Sequence, residues 1–222
     1  MSSSFEIHQL PFENEINASL YLMYYNDFEP ETLAKRQLNR EELKRFSNFK
    51  SLKRKREFIA TRKLKNQVLK GEDVYYSEDG RPMTESYNNL SFSHSNNACG
   101  LVYADHPVGL DLEPIDEKIQ RVKNKFLSSR ECDIFDTSNT ETLIRIWSAK
   151  EALYKLAPQR GLIFSTNLNI IPSNKTYADP NDIELIACLI INGKSTCYSL
   201  LSKKINNFIL TINTDIGNET AQ

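Results

Sequence analysis

The chain has 222 residues, 40% of them hydrophobic and 26% charged, enough to bury one sizeable core or two small ones. Its 28 Lys and Arg against 29 Asp and Glu leave no net charge that would argue for nucleic-acid or membrane binding by the whole molecule. No apolar run approaches the roughly 18 residues of a transmembrane helix, and MSSSFEIHQLPFENE lacks the basic flank and apolar stretch of a secretory signal, so a cytoplasmic protein is expected.

FEIHQLPF and SLYLMYYND, starting at Phe5 and Ser19, have the apolar and aromatic content of strands. Helical territory follows. Asn39 precedes REELKRF with Glu42 three residues on, the spacing of a capping box. A basic helix is predicted over Ser51 to Leu69, ended by Gly71, with Ile59, Leu64 and Val68 facing a core. Between Lys35 and Lys70 stand 14 Lys or Arg against Glu41, Glu42 and Glu57. Half the chain's cations therefore lie in one segment, a candidate docking face for an anion.

Asp79-Gly80 and Arg81-Pro82 are turn chemistry. Short strands are expected around Leu90–Ser93, Ala98–Ala104 and Val108–Leu112, with Gly109 allowing a close approach. KIQRVKNKF and SSRECDIF read as helix, the second opened by Ser128 with Glu131 in the capping-box position. A helix through RIWSAKEALYKLA ends before Pro158. DIELIACLII, TCYSLLS and NFILTIN read as strands, the first two joined by a tight turn at Asn192-Gly193. Cys99, Cys132, Cys188 and Cys197 form no C-x-x-C pair and read as reduced, mostly buried thiols. The order of elements predicts an α+β fold with largely antiparallel sheets, divided near residue 108 into segments 1–107 and 108–222.

Within VGLDLEP, Asp111 and Glu113 lie two residues apart on a strand and so share a face. Two like charges persist there if one is protonated, if both reach water at the strand end, or if a hard divalent cation sits between them. In WSAKEALYKLA, Trp147, Lys150, Glu151, Tyr154 and Lys155 fall in one arc of about 140° at 100° per residue. That face could hold a metal through Glu151 and phosphate through its ammonium groups; equally, Glu151 and Lys155 could be a solvated i,i+4 pair. His94 in SFSHS is a ligand candidate or a structural histidine. His8 and His106 have no motif around them.

Taken in order, GRP, FSHS, VGLDLEP, SSRE and WSAKEALYK resemble the phosphopantetheinyl transferases of the type that activates surfactin synthetase. The resemblance covers approximately residues 40 to 165. It implies two similar α/β halves related by a pseudo-two-fold axis, and an enzyme that moves the 4'-phosphopantetheine arm of coenzyme A onto a serine of an acyl or peptidyl carrier protein, releasing adenosine 3',5'-bisphosphate. By the same resemblance Asp111, Glu113 and Glu151 bind Mg²⁺. Lys150 and Lys155 approach the pyrophosphate, Lys155 stabilising or protonating the leaving group. Arg81, in GRP, is a coenzyme-binding position. Ser93 and His94 contact coenzyme phosphates, His94 the 3'-phosphate with a cation such as Arg56; Arg40 and Arg62 are further candidates. The base that takes the serine proton is Glu151 or a water on the metal. Glu131 is either a further metal-site acid or a helix cap alone. Ser91 stands where the family usually has Asn, so a hydrogen bond made by that amide is lost or replaced. The implied partners are coenzyme A and carrier proteins, bound by a monomer. The competing readings are an inactive coenzyme A-binding relative and a nucleic-acid binder using residues 35–70.

Overall fold

The computed structural model describes residues 5–12, 16–77 and 80–220. β1 (Phe5–Leu10) and β2 (Ser19–Tyr25) form where apolar and aromatic residues crowd the sequence, and they pair antiparallel. Alternation along β2 serves two cores. Leu20 and Leu22 enter one cluster, Met23 and Tyr25 the other, because successive strand side chains point to opposite faces.

Three helices follow. α1 (Pro30–Gln37) opens on a proline, whose missing N–H has no helical partner at a first turn. α2 (Arg40–Ser47) starts on the expected capping box: Glu42 N donates to Asn39 Oδ1 at 2.9 Å, and Asn39 N to Glu42 Oε2 at 3.2 Å. α3 (Leu52–Val68) is the basic helix, with Ile59 and Leu64 fully buried and Val68 packed at the cluster's edge. Gly71 follows in the left-handed region at φ 85°. A short ribbon, β3 (Tyr75–Tyr76) with β4 (Pro82–Met83), flanks the predicted turn; of that turn, Asp79 lies outside the described residues. β5 (Asn89–Ser95) and β6 (Ala98–Ala104) complete a four-stranded antiparallel sheet in the order β1-β2-β6-β5.

β7 (Leu110–Pro114) begins the second sheet. The helix predicted at Lys118–Phe126 is instead two 3-10 turns, Glu117–Arg121 and Lys123–Lys125. Asp116 Oδ1 accepts from Lys118 N at 2.9 Å, a local turn bond that competes with α-helical winding. α4 (Ser129–Ile134) carries its capping box between Ser128 and Glu131. α5 (Thr140–Leu156) starts earlier than its apolar pattern suggested, because Asn139 Oδ1 caps Thr142 N at 3.0 Å. After the single turn α6 (Phe164–Asn167) come β8 (Leu168–Thr176), β9 (Asp182–Ile191), β10 (Lys194–Ile205), β11 (Phe208–Asn213) and β12 (Asn218–Thr220). β8 was not expected. Pro172 interrupts its pattern, and an outer strand whose register shifts after Pro172 accommodates that residue. The order is β7-β11-β10-β9-β8, with β12 on β10, so helices and antiparallel sheets form the α+β fold.

The reading of all four cysteines as reduced thiols is corrected. Cys188 and Cys197 face each other across β9 and β10 with Cα atoms 4.0 Å apart, and they form a disulfide. Cys99 is buried and free, Cys132 exposed and free. Burial pushes the Cys99 thiol pKa upward.

Candidate active site

Gly109 brings β7 against α5. A Cβ at that position would stand 2.2 Å from the Ala152 carbonyl oxygen and 3.1 Å from Leu156 Cγ, a separation no side chain permits. α5 buries Ala149, Ala152, Leu153 and Leu156, which leaves Glu151 and Lys155 beside the strand. Asp111 is 4% exposed. Its Oδ1 accepts from Lys155 Nζ at 3.1 Å and from the Ser93 hydroxyl at 3.2 Å, and Lys155 also donates to the Leu110 carbonyl. Asp111 Oδ2 is buried without a hydrogen-bond partner. Glu113 Oε1 accepts from the Trp147 indole at 3.1 Å, and the indole is fixed between Phe126 and Phe164.

The carboxyls sense one another. Burial, then the Asp111 charge, then Glu151 push Glu113 up to about 7, against the indole hydrogen bond and Lys155. Burial and Asp111 likewise push Glu151 up to about 7, with Lys155 opposing. Among the described residues no three acids, histidines or cysteines are drawn together as a ready-made metal-holding group; Lys155 and Trp147 hold the carboxylates. The donor set nevertheless suits a hard cation. It offers oxygen atoms from three acids, one of them a buried carboxylate oxygen with no partner, and two carboxyls whose protons a divalent ion would displace.

A cavity of about 470 Å³ opens beside this group, walled by residues from both sides of position 108. Arg45, Arg54, Arg62 and His94 contribute from one side, and Glu151, Tyr154, Lys155 and Arg160 from the other. Arg54 Nη1 stands 3.4 Å from His94 Nε2, and the buried Glu57 lies 3.7 Å from His94 Nδ1. Burial first, with help from Arg54 and Lys155, holds His94 below its usual 6.5, against the pull of Glu57. Arg45, Arg54 and Glu57 carried no sequence signal beyond basic composition and helical phase.

Some expected site residues are elsewhere. Lys150 is fully buried. Its three donors go to the Phe126 carbonyl (2.7 Å), Glu131 Oε2 (2.7 Å) and the Phe164 carbonyl (2.9 Å), which leaves none for a pyrophosphate. Glu131 in turn accepts from Ser128 N and Ile170 N and is 1% exposed; it ties the start of α4 to β8 and to Lys150 of α5. Ser93 does not line the cavity; its hydroxyl faces β7. Arg56 is two residues out of phase, donating to the Phe28 carbonyl at 2.9 Å and pairing with Asp27 at 2.7 Å. Arg40 does not line the cavity either. Arg62 does, paired with Glu42 at 2.7 Å. Arg81 lines it too, and donates to the Leu156 and Ala157 carbonyls at 2.8 and 3.1 Å. Ser91, where the resemblance leads one to expect Asn, accepts from Leu110 N at 3.0 Å. Three cations of the basic segment pair with acids, Lys55 with Glu31, Arg56 with Asp27 and Arg62 with Glu42.

Glu151 and Lys155 at the wall of an arginine-lined cleft, with Asp111 and Glu113 behind them, are groups whose chemistry suits a phosphorylated ligand. Residues 107–212, a little under half of the chain, match the family model of the 4'-phosphopantetheinyl transferase superfamily. That match contains Asp111, Glu113, Glu131, Glu151 and Lys155, and it supports a transferase of phosphopantetheine. His94, Arg54 and Arg81 lie outside it. No curated protein matches the chain. No helix among the described residues is long and apolar enough to cross a membrane.

Proposed function

We propose that the protein transfers the 4'-phosphopantetheine arm of coenzyme A to a serine of an apo acyl or peptidyl carrier protein, releasing adenosine 3',5'-bisphosphate. The observation that carries this reading is that Glu151 and Lys155 line an arginine- and histidine-bearing cavity, while Asp111 and Glu113, which do not line it, stand directly behind them, Asp111 bonded to Lys155 and its charge felt by both Glu113 and Glu151. The reading takes the chain as a cytoplasmic monomer of two similar halves related by a pseudo-two-fold axis. In support, each sheet packs one 17-residue helix, α3 or α5.

Asp111, Glu113 and Glu151 would hold Mg²⁺, which when bound neutralises charge on the pyrophosphate. The chain's own residues do the rest. Arg54 and His94 face the cavity where the coenzyme's 3'-phosphate would bind. The carrier's serine oxygen attacks the phosphorus on the pantetheine side. The bond from that phosphorus to the bridging oxygen breaks, and adenosine 3',5'-bisphosphate leaves with the oxygen. Glu151, which lines the cavity, or a water beside it is placed to take the serine proton, and Lys155 offsets charge on the departing phosphate.

Incubation with coenzyme A, Mg²⁺ and a panel of apo carrier proteins should add the mass of the arm to at least one carrier. Asp111→Ala should abolish that gain while the protein stays folded, since the change also removes a charge that raises Glu113. No gain on any carrier, or an Asp111→Ala variant with undiminished turnover, overturns the reading.

A further inference from the structure

β5 and β7 are edge strands of different sheets, and they meet side by side. An edge strand has a row of backbone N–H groups without ladder partners. Along β7 the N–H groups of Leu110 and Leu112 point away from β11 and are received by two serine hydroxyls of β5. Ser91 Oγ accepts from Leu110 N at 3.0 Å, and Ser93 Oγ accepts from Leu112 N at 3.0 Å. Both serines are buried. At i and i+2 they share a face, so the pair takes the place of a missing backbone ladder.

The two serines differ in one respect. A hydroxyl has one hydrogen to donate. With its acceptor side facing Leu112 N, Ser93 turns that hydrogen toward Asp111 Oδ1, 3.2 Å away. Lys155 Nζ donates to the same oxygen at 3.1 Å. Two donors on Oδ1 fix the carboxylate plane and leave Oδ2, buried and unpartnered, as the oxygen available for a ligand. We propose that Ser93 is a positioning residue. It orients Asp111 so that Oδ2 is presented to the divalent cation, and it makes no contact with coenzyme A itself. This rests on the reading of Asp111 as a metal ligand. Partners of this kind behind a ligating group are worth tenfold to a hundredfold in metal affinity.

The chain's only tryptophan, Trp147, donates to Glu113, so its fluorescence reports metal binding without any turnover. In a Mg²⁺ titration of the full chain followed by this signal, Ser93→Ala should raise the midpoint roughly tenfold or more. Ser93→Thr, which keeps the hydroxyl, should restore it to within about threefold. Ser91→Ala removes the sister bond to β7 but no bond to Asp111, and should shift the midpoint by less than about threefold. Where Ser93→Ala does not fold, Ser93→Cys, slightly larger and a weak donor, carries the same expectation. Equal midpoints for wild type and Ser93→Ala, or equal shifts in the Ser91 and Ser93 variants, overturn the positioning role and leave the metal reading standing. A wild-type protein whose fluorescence and calorimetric heat show no Mg²⁺ response overturns the metal reading and this proposal with it.

Discussion

Glu113 and Glu151 each keep a proton that an exposed glutamate gives up near 4.5, since both are pushed to about 7 by burial and by Asp111. The linkage has a definite sign. Between pH 4.5 and 7 these two groups bind more protons in the folded chain than in the unfolded chain, so their contribution to stability falls as pH rises across that window, and His94, held below 6.5, opposes only part of it. Below about 4.5 the contribution from these two groups is fully present. Thermal melts in a chelating buffer should therefore show the melting temperature dropping from pH 5 to pH 7.5. Added Mg²⁺ should remove most of the drop at pH 7.5 and little at pH 5, because the ion must displace both protons. A melting temperature that rises through this window, with the two glutamates mutated to Gln behaving identically, would falsify the assigned shifts. That Asp111 and Glu113 share a face was legible from strand spacing, and that Glu151 and Lys155 do from helical phase; that the two pairs belong together came only from the family resemblance. Lys150 was misjudged for a physical reason. Its acceptors come from the loops at Phe126 and Phe164 and from Glu131, contacts that helical periodicity cannot carry.

At the scale of elements, the meeting of β7 and α5 depends on a missing side chain. Gly109 faces the Ala152 backbone at a distance no Cβ can occupy, and its N–H is taken by Asn213 Oδ1 at 2.9 Å, so the strand cannot simply back away. Gly109→Ala should cost about 3 kcal/mol or more of stability, read from urea midpoints, and should lower transfer even where the protein folds, because Asp111 moves away from Glu151. A midpoint unchanged from wild type would show that the strand has slack. Gly109 was readable in the sequence as a point of close approach, although not what approaches. The Cys188–Cys197 bridge was readable and missed. A two-residue turn at Asn192-Gly193 pairs Ile191 with Lys194, and counting outward equally on both sides brings Cys188 opposite Cys197. β8 and the 3-10 turns were not legible, since Pro172 and the Asp116 turn hide their periods.

At the scale of the whole molecule, the division at residue 108 separates two sheets but not their core. One buried cluster joins Ile16, Leu20, Leu22, Ala98 and Val102 to Val108, Leu110, Leu112, Leu210 and Ile212. Leu110 packs so closely on Gly100 that a Cβ there would meet its Cδ2 at 3.0 Å. The serine bonds from β5 to β7 and the Arg81 bonds to the end of α5 cross the same junction. Opening the cavity by separating the sheets would expose this cluster to water, at roughly 25 cal/mol for each Å² of apolar surface, so both sheets should unfold in one transition. Two reporters lie on opposite sides of the junction. Trp147 reads the second sheet, while Cys99 is buried in the first at β6. With a thiol reagent, Cys132 should react at once. Cys99 should become reactive only over the denaturant range in which Trp147 fluorescence changes, and the bridged Cys188 and Cys197 should not react at all until a reductant is added. Reaction of Cys99 at clearly lower denaturant than the fluorescence transition would mean that the first sheet opens independently. The cavity between the sheets would then be a hinge, not a wall fixed by a shared core, and affinity for the proposed coenzyme would depend on closure as well as on the arginines that line it.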